Sequence, residues 1–294
     1  MLSFLLFADE GFIPLGKIDI SIYEPGQRAV ILWNGKKEVL IISIDIKASE
    51  NTKVLTILPL PAEPKISKGD FKIFEEIERF IRMRSPYRGK KKNGDEERVK
   101  ILYFKKIGAH NITVTHADHP NELIEWIRQF VKKQGIEDFK YSADFESIIK
   151  GYFLREKKYF VFDVIEVGDK EKTREPIIYE FESSSLYYPL EISSLNKGVS
   201  EITLYCFTPW LFDFVTLSLP LDFAYYISRD RKRRTPIILT YIPKHILLNK
   251  GISQEFLDSF PERFYLTVLK YKGKLNFFSD FCWNLFLKPV EIKK

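Results

Sequence analysis

Arg28-Ala-Val-Ile-Leu-Trp33, Asn34-Gly35, Lys36-Lys-Glu-Val-Leu-Ile-Ile-Ser-Ile-Asp-Ile46 is the stretch that decides the fold. Two β-branched, apolar runs flank an Asn-Gly pair. That pattern calls for a tight hairpin, because the turn residues of such a connection must accept positive φ. Towards their middles both arms are apolar at nearly every position rather than at every second one. A strand of that kind has both faces covered, so the hairpin belongs inside a sheet rather than at its edge.

Outward from the hairpin, strands dominate. Val54 to Leu60 reads as a strand that ends in Pro59-Leu-Pro61-Ala-Glu-Pro64, where donors are missing. Asp70 is placed to cap a helix over 71–83, whose Phe71, Phe74, Ile77 and Ile81 recur at helical spacing. Residues 85–98 form a polar, charged, glycine-containing loop. It serves as a lobe boundary or as a mobile excursion. Strands are expected at 99–105 and 111–116. A helix then starts near Pro120, carries Leu123, Trp126, Ile127 and Phe130 on one face, and ends at Gly135. Phe145, Ile148, Ile149 and Tyr152 suggest a short helix. Further strands are read at Tyr159–Val167, Ile177–Glu182, Leu190–Ser193, Ile202–Phe207 and Ile237–Ile242. Ser253 is placed to cap a short helix. Phe264–Tyr271 and Leu275–Phe278, separated by Lys272-Gly273-Lys274, read as a last hairpin. Strands outnumber helices and do not alternate with them strictly. The expected class is α+β, a mixed and mostly antiparallel sheet built on the central hairpin 28–46 with a few packed helices.

Composition narrows the classes. The 294 residues are 45% hydrophobic, 15% aromatic and 29% charged, which excludes disorder, collagen-like repeats and a disulfide-dense mini-protein. The net charge is +6, but 82–98 and 228–234 each carry +4, so the rest sums to −2. A nucleic-acid footprint spreads its cations along a face or groove, with aromatics for stacking. Two short runs read first as solvated loops. Four Gln, two Met and two Cys beside abundant Lys, Glu and Ile fit a thermophile, archaeal in character.

The start, Met1-Leu-Ser-Phe-Leu-Leu-Phe-Ala8 before Asp9-Glu10-Gly11, looks like the tail of a secretory signal with Ala8 at the cleavage position. It lacks a basic leader, and an N-terminal strand is the alternative. No run of 18 uncharged apolar residues is present to span a membrane. Residues 9–294 are then one α+β domain, or two lobes divided at 85–98. Cys206 and Cys282 read as small core residues; in an exported protein a disulfide between them becomes an option. Asn111-Ile112-Thr113 is a glycosylation acceptor under the same condition.

Several blocks resemble a known family. Tyr23-Glu-Pro-Gly-Gln-Arg-Ala-Val-Ile-Leu-Trp-Asn-Gly35 with Glu38-Val-Leu40 is similar to the opening of domain of unknown function family 2330. Leu58-Pro-Leu-Pro61 with Pro64, Ile112-Thr-Val-Thr115, the helix of Trp126, the strand Tyr159–Val164 and Leu186-Tyr-Tyr-Pro-Leu190 follow in the family's order. The likeness covers about residues 9–210. Members typically look exported, with a signal peptide ahead of a segment similar to Asp9-Glu-Gly-Phe-Ile-Pro14. The resemblance therefore implies an extracytoplasmic protein and supplies no catalytic residue.

Chemistry has few candidates. His110, His116, Asp118 and His119 fall within ten residues, and imidazole with carboxylate suits zinc or another divalent ion. In an extended 110–116, His110 and His116 stand about 20 Å apart, from roughly 3.3 Å per residue. That leaves His116, Asp118 and His119 at a strand-to-helix junction as the metal trio. Capping of the helix by Asp118 or His119 is the plain alternative. His245 reads as a surface residue. No Gly-x-Ser-x-Gly, His-Glu-x-x-His or phosphate-cradling Gly-x-x-x-x-Gly-Lys occurs, and no organic cofactor is indicated.

The aromatic clusters, Tyr187-Tyr188 and Trp210 among them, are mostly core; exposed together they would mark a surface for a partner. Arg231, Lys232, Arg233 and Arg234 would be the basic part of a binding surface. The leading expectation is a non-catalytic extracytoplasmic protein that binds a partner protein or envelope component. The alternatives are a metal-dependent enzyme using His116, Asp118 and His119, and a nucleic-acid module using 82–98 and 229–234.

Overall fold

The computed structural model describes residues 11–15, 20–84, 112–136, 139, 141, 143–195, 199–212, 237–240, 242–262, 264–284 and 286–287. The expected segments 1–8, 85–98 and 99–105, together with His110, Asn111 and the basic run 228–234, lie outside the described residues.

The hairpin is the centre of the molecule. Its arms are β2 (Ile22–Trp33) and β3 (Lys37–Ala48), paired antiparallel with Trp33 opposite Glu38 and Arg28 opposite Ser43. The turn differs in one respect from the expectation. Asn34 pairs with Lys37 through its backbone N–H (3.2 Å), so the two central residues are Gly35 and Lys36. Gly35 alone of these has positive φ, +98°, which is the pattern of a type II′ turn. Asn34 contributes through its side chain, whose Oδ1 accepts from the N–H groups of Lys36 (3.0 Å) and Lys37 (2.8 Å).

Around the hairpin, one sheet runs in the order β13 (Ile237–Thr240), β14 (Tyr265–Lys274), β11 (Val199–Thr208), β2, β3, β9 (Ile177–Glu182), β5 (Lys65–Lys68). The short β8 (Lys172–Thr173) also pairs with β3. The β2–β11 pair is parallel and the other described pairs are antiparallel, so the sheet is mixed and mostly antiparallel. A second sheet has the order β1 (Gly11–Leu15), β4 (Thr52–Leu60), β7 (Tyr159–Val167), β6 (Thr113–His116). Two short ribbons complete the strands: β10 (Leu186–Tyr188) with β15 (Phe281–Trp283), and β12 (Leu211–Phe212) with β16 (Phe286–Leu287). The fold is α+β, as the strand count in the sequence implies.

The continuous apolar runs have a direct explanation. Ala29, Ile31, Trp33, Leu40, Ile42 and Ile44 face Val54, Leu58, Leu60 and Val161 of the second sheet. The alternate residues Val30, Leu32, Val39 and Ile41 face the opposite way. They pack on Ile73, Phe74, Ile77 and Phe80 of α1 (Lys72–Arg84) and on Phe256, Leu257 and Phe260 in and after α4 (Gln254–Ser259). The far face of the second sheet, Leu55, Ile57, Phe160 and Phe162, is covered by α2 (Pro120–Lys133) and α3 (Ala143–Leu154). Four layers result, helices–sheet–sheet–helices, and the hairpin is buried between the second sheet and α1.

Local signals behave as their chemistry requires. Asp70 Oδ1 accepts from the N–H of Lys72 (2.9 Å), and Ser253 Oγ accepts from that of Phe256 (3.1 Å). Gly135, φ +86°, closes α2. β4 continues through Pro59, because β1 pairs only as far as Ile57 and the missing donor lies past that register. The last hairpin does not form: 265–274 is one strand between β13 and β11, and 275–280 leave the sheet to reach β15.

A buried ion pair ties the two sheets. Arg174, just after β8, is bonded to β3 through its backbone N–H to Ile44 O (2.8 Å). Its guanidinium donates to Asp163 Oδ2 of β7 at 2.7 Å, with side-chain exposures of 7% and 4%. Removing one member of such a pair strands the other charge in a low-dielectric interior, at a cost of about 3–5 kcal/mol. Arg174→Met is therefore expected to lower the unfolding free energy by that amount in urea titration, with an m-value close to that of the parent protein.

Candidate functional site

The structure does not gather the predicted metal trio. His116 ends β6, exposed, its ring tilted against Tyr159 at 4.8 Å between centroids. Asp118 is exposed and lies 3.8 Å from Lys158 Nζ. His119 is the N-cap of α2 and forms no capping bond with its side chain. Neither it nor Asp118 caps the helix by side chain; Pro120 at the first turn starts it. Among the described residues no three His, Cys, Asp or Glu side chains form a group able to hold a metal ion. His245 is exposed in the 3₁₀ turn 244–247.

The aromatic candidates separate as well. Tyr187 and Tyr188 are 0% and 2% exposed, so they form no surface patch. Both are adjacent residues of β10, and each carries its hydroxyl inwards to a polar partner. Tyr188 donates to Gln27 Oε1 at 2.6 Å. Trp210 is half-buried and packs edge-on against Trp33, centroids 5.9 Å apart, over Gly35. Arg231, Lys232, Arg233 and Arg234 lie outside the described residues.

Among the described residues the richest polar cluster is one the sequence did not announce, and it is built around Tyr187. Its backbone N–H donates to Glu38 Oε2 (2.7 Å). Its hydroxyl lies 3.0 Å from Pro59 O of β4 and 3.0 Å from Asp280 Oδ2. Asp280, in the segment leading to β15, also accepts at Oδ1 from Tyr152 of α3 (2.8 Å) and from the N–H of Glu191 (3.0 Å). Tyr152 in turn accepts from Ile192 N–H (2.9 Å). Arg155 pairs with Glu191 and lies 5.0 Å over the Tyr152 ring, and Lys157 lies 4.9 Å over the Tyr187 ring. One carboxylate thus joins α3, β10, β15 and the 3₁₀ turn 191–195.

Burial sets the electrostatics here. It pushes the carboxyl of Asp280 above the ordinary range, against the pull of the Glu191 N–H, the two tyrosine hydroxyls and Arg155. Glu38 is raised well above it for the same reason, its Oε1 buried without a hydrogen-bond partner, while the Tyr187 N–H and Lys157 oppose the shift. Glu191 is also raised by burial, with Arg155 opposing. The hydroxyls of Tyr152 and Tyr187 are pushed up by burial and by Asp280. The sequence carried only faint signals of this cluster: an acid between Phe278-Ser279 and Phe281, and a glutamate at the head of an apolar strand.

Both cysteines are free. Cys206 is buried in β11, and Cys282 is exposed in β15, so the optional disulfide is absent.

No family model matches the chain, and no curated protein does. Solved structures of baculovirus P35 do resemble it. The crystal structure of baculovirus P35 matches over 92% of this chain and 98% of that one, with a TM-score of 0.50 and 12% identity. A structure of a mutated baculovirus P35 after caspase cleavage matches over 84% of this chain and 94% of that one, with a TM-score of 0.36 and 12% identity. The first of these likenesses is one of fold.

The environment of the thiols gives a measurable expectation. Although Cys282 lies at the surface, local desolvation of its thiol and the nearby Asp280 push it up to about 11, while burial drives Cys206 well above its ordinary value. The thiolate is the reactive form. In the folded protein one thiol, Cys282, is expected to react with a disulfide reagent, slowly at neutral pH and about tenfold faster per pH unit up to that value. Cys206 is expected to react only on unfolding. Two fast thiols at neutral pH would contradict this environment.

Proposed function

We propose that the chain is a non-catalytic, extracytoplasmic binding or structural protein of a thermophile's cell envelope. The observation that carries the reading is where the polar chemistry sits. Three acids in or beside the core are committed to ties between elements: buried Asp163 to Arg174, buried Glu38 to the β10 backbone, and half-buried Asp280 to two tyrosines and a peptide N–H. Groups spent on joining strands are poor candidates for turnover, since a catalytic acid or base must reach the proton it moves.

Export is supported by the apolar start ending at Ala8 and by the blocks over 9–210 that resemble the exported family. The scarcity of Gln, Met and Cys supports growth at high temperature. No described helix is long and apolar enough to cross a membrane. The likeness to baculovirus P35 supports the scaffold and supplies no partner.

The test is fractionation of native cells with sequencing of the mature N-terminus. The expected result is Asp9 as first residue, in the envelope fraction. Intact Met1 in the cytosol would overturn export. Tight retention on DNA or RNA at low salt, lost steeply as salt rises, would replace the reading with the nucleic-acid one.

A further inference from the structure

The Tyr187 hydroxyl has one proton and two acceptors. Pro59 O, a carbonyl, only accepts, and it lies 3.0 Å away. Asp280 Oδ2 lies at the same distance on the other side. If Asp280 were ionised, one of these two contacts would set lone pair against lone pair at a fully buried tyrosine hydroxyl, beside a half-buried carboxyl. The Tyr152 hydroxyl cannot relieve it, because it accepts from Ile192 N–H and spends its proton on Oδ1. The Glu191 N–H is directed to Oδ1 as well. The count closes when Oδ2 carries the proton. Asp280 then donates to Tyr187 Oη, Tyr187 donates to Pro59 O, and each heavy atom in the chain has its partner.

We propose that Asp280 is held in the folded protein as a neutral carboxylic acid, whose proton completes the chain Asp280–Tyr187–Pro59 and latches the β10–β15 ribbon to the second sheet. Loss of that proton draws the Tyr187 hydroxyl to the carboxylate and gives up the bond to β4. The latch is thus tight in acid and slackens as pH rises.

Among the described residues the charged and titratable groups around it are few. Arg155 and Tyr152 face it from α3 and its end, Glu191 from the 3₁₀ turn, Tyr187 from β10 and Cys282 from β15. Lys157 lies over the Tyr187 ring, and Glu38 lies beyond the same residue on β3. Arg155 is the cation that opposes retention of the proton, and it is already paired with Glu191.

The sign follows from linkage. An acid that keeps its proton in the fold, but ionises near 4 when unfolded, contributes stability that is complete below about pH 4 and is lost as pH rises towards its folded value. Over that window unfolding releases one proton, and the unfolding equilibrium constant rises about tenfold per pH unit from this group. Glu38 and Glu191 are shifted the same way and add to the slope.

Asp280→Asn preserves the acceptor for Tyr152 and Glu191 N–H and supplies a permanent donor to Tyr187. It is expected to fold, and to lose about one proton from the slope of stability against pH over the window from about 4 up to the folded value of Asp280. In urea titrations at several pH values it should match the parent at pH 4 and exceed it at pH 8. If Asp280 is ionised in the fold, the outcome reverses: the variant is less stable than the parent at pH 8, and the proposal fails. A second reading needs no variant. In parent protein carrying carbon-13 at aspartate carboxyls, the Asp280 resonance is expected to titrate well above the ordinary value near 3.9. Titration at or below that value overturns the latch.

Discussion

A strand pair with both faces buried is the constraint from which the rest of this structure follows. Val30 and Leu32 point at α1 while Ala29 and Ile31 point at the second sheet, and on the other arm Val39 and Ile41 oppose Leu40 and Ile42. A one-residue slip of either arm would keep it apolar, since both faces are greasy. Register must come from elsewhere. Gly35 supplies it at the turn, and Glu38, Arg28 and Gln27 supply it along the arms through Tyr187, Asp45 and Tyr188. These polar residues stand among apolar neighbours and each has a specific partner, so they fix an alignment that burial alone would leave degenerate.

The same division of labour recurs between layers. Apolar burial joins the sheets, at about 1.5–3 kcal/mol for each large side chain fully withdrawn from water. Polar contacts choose which residues meet. Asp163 and Arg174 do so at the middle of β7, and Asp280 with Tyr152 and Tyr187 does so where β4, α3 and the β10–β15 ribbon converge. Polar groups in such places act as positioning devices. The likeness of fold to baculovirus P35 extends over nearly the whole chain at 12% identity, and it is a likeness of fold alone.

Much of this was legible in the residues. The apolar run of Arg28–Ile46 named a central hairpin, and Asp70, Ser253 and Gly135 marked helix ends because their chemistry is local. What could not be read was non-local. Asn34-Gly35 suggested a turn centred on both residues, yet the Asn34 side chain captured two N–H groups and moved the centre to Gly35-Lys36. Leu275–Phe278 had a strand's composition, but β14 already had β11 and β13 on its two sides. The Asp280 cluster joins residues as far apart as Pro59 and Asp280, and no spacing rule links them. His116, Asp118 and His119 were close in sequence and stayed apart in space, because a strand end and a helix start point their side chains in different directions.

The central claim is that the paired arms 28–33 and 38–43 form the least yielding part of the molecule. Native-state amide hydrogen exchange tests it most directly. The account predicts that the amides of Val30–Leu32 and Val39–Ile42 exchange last and only through global unfolding, with opening free energies equal to that from urea titration. Exchange of these amides through a local opening, several kcal/mol below the global value and ahead of β4 or β7, would contradict it.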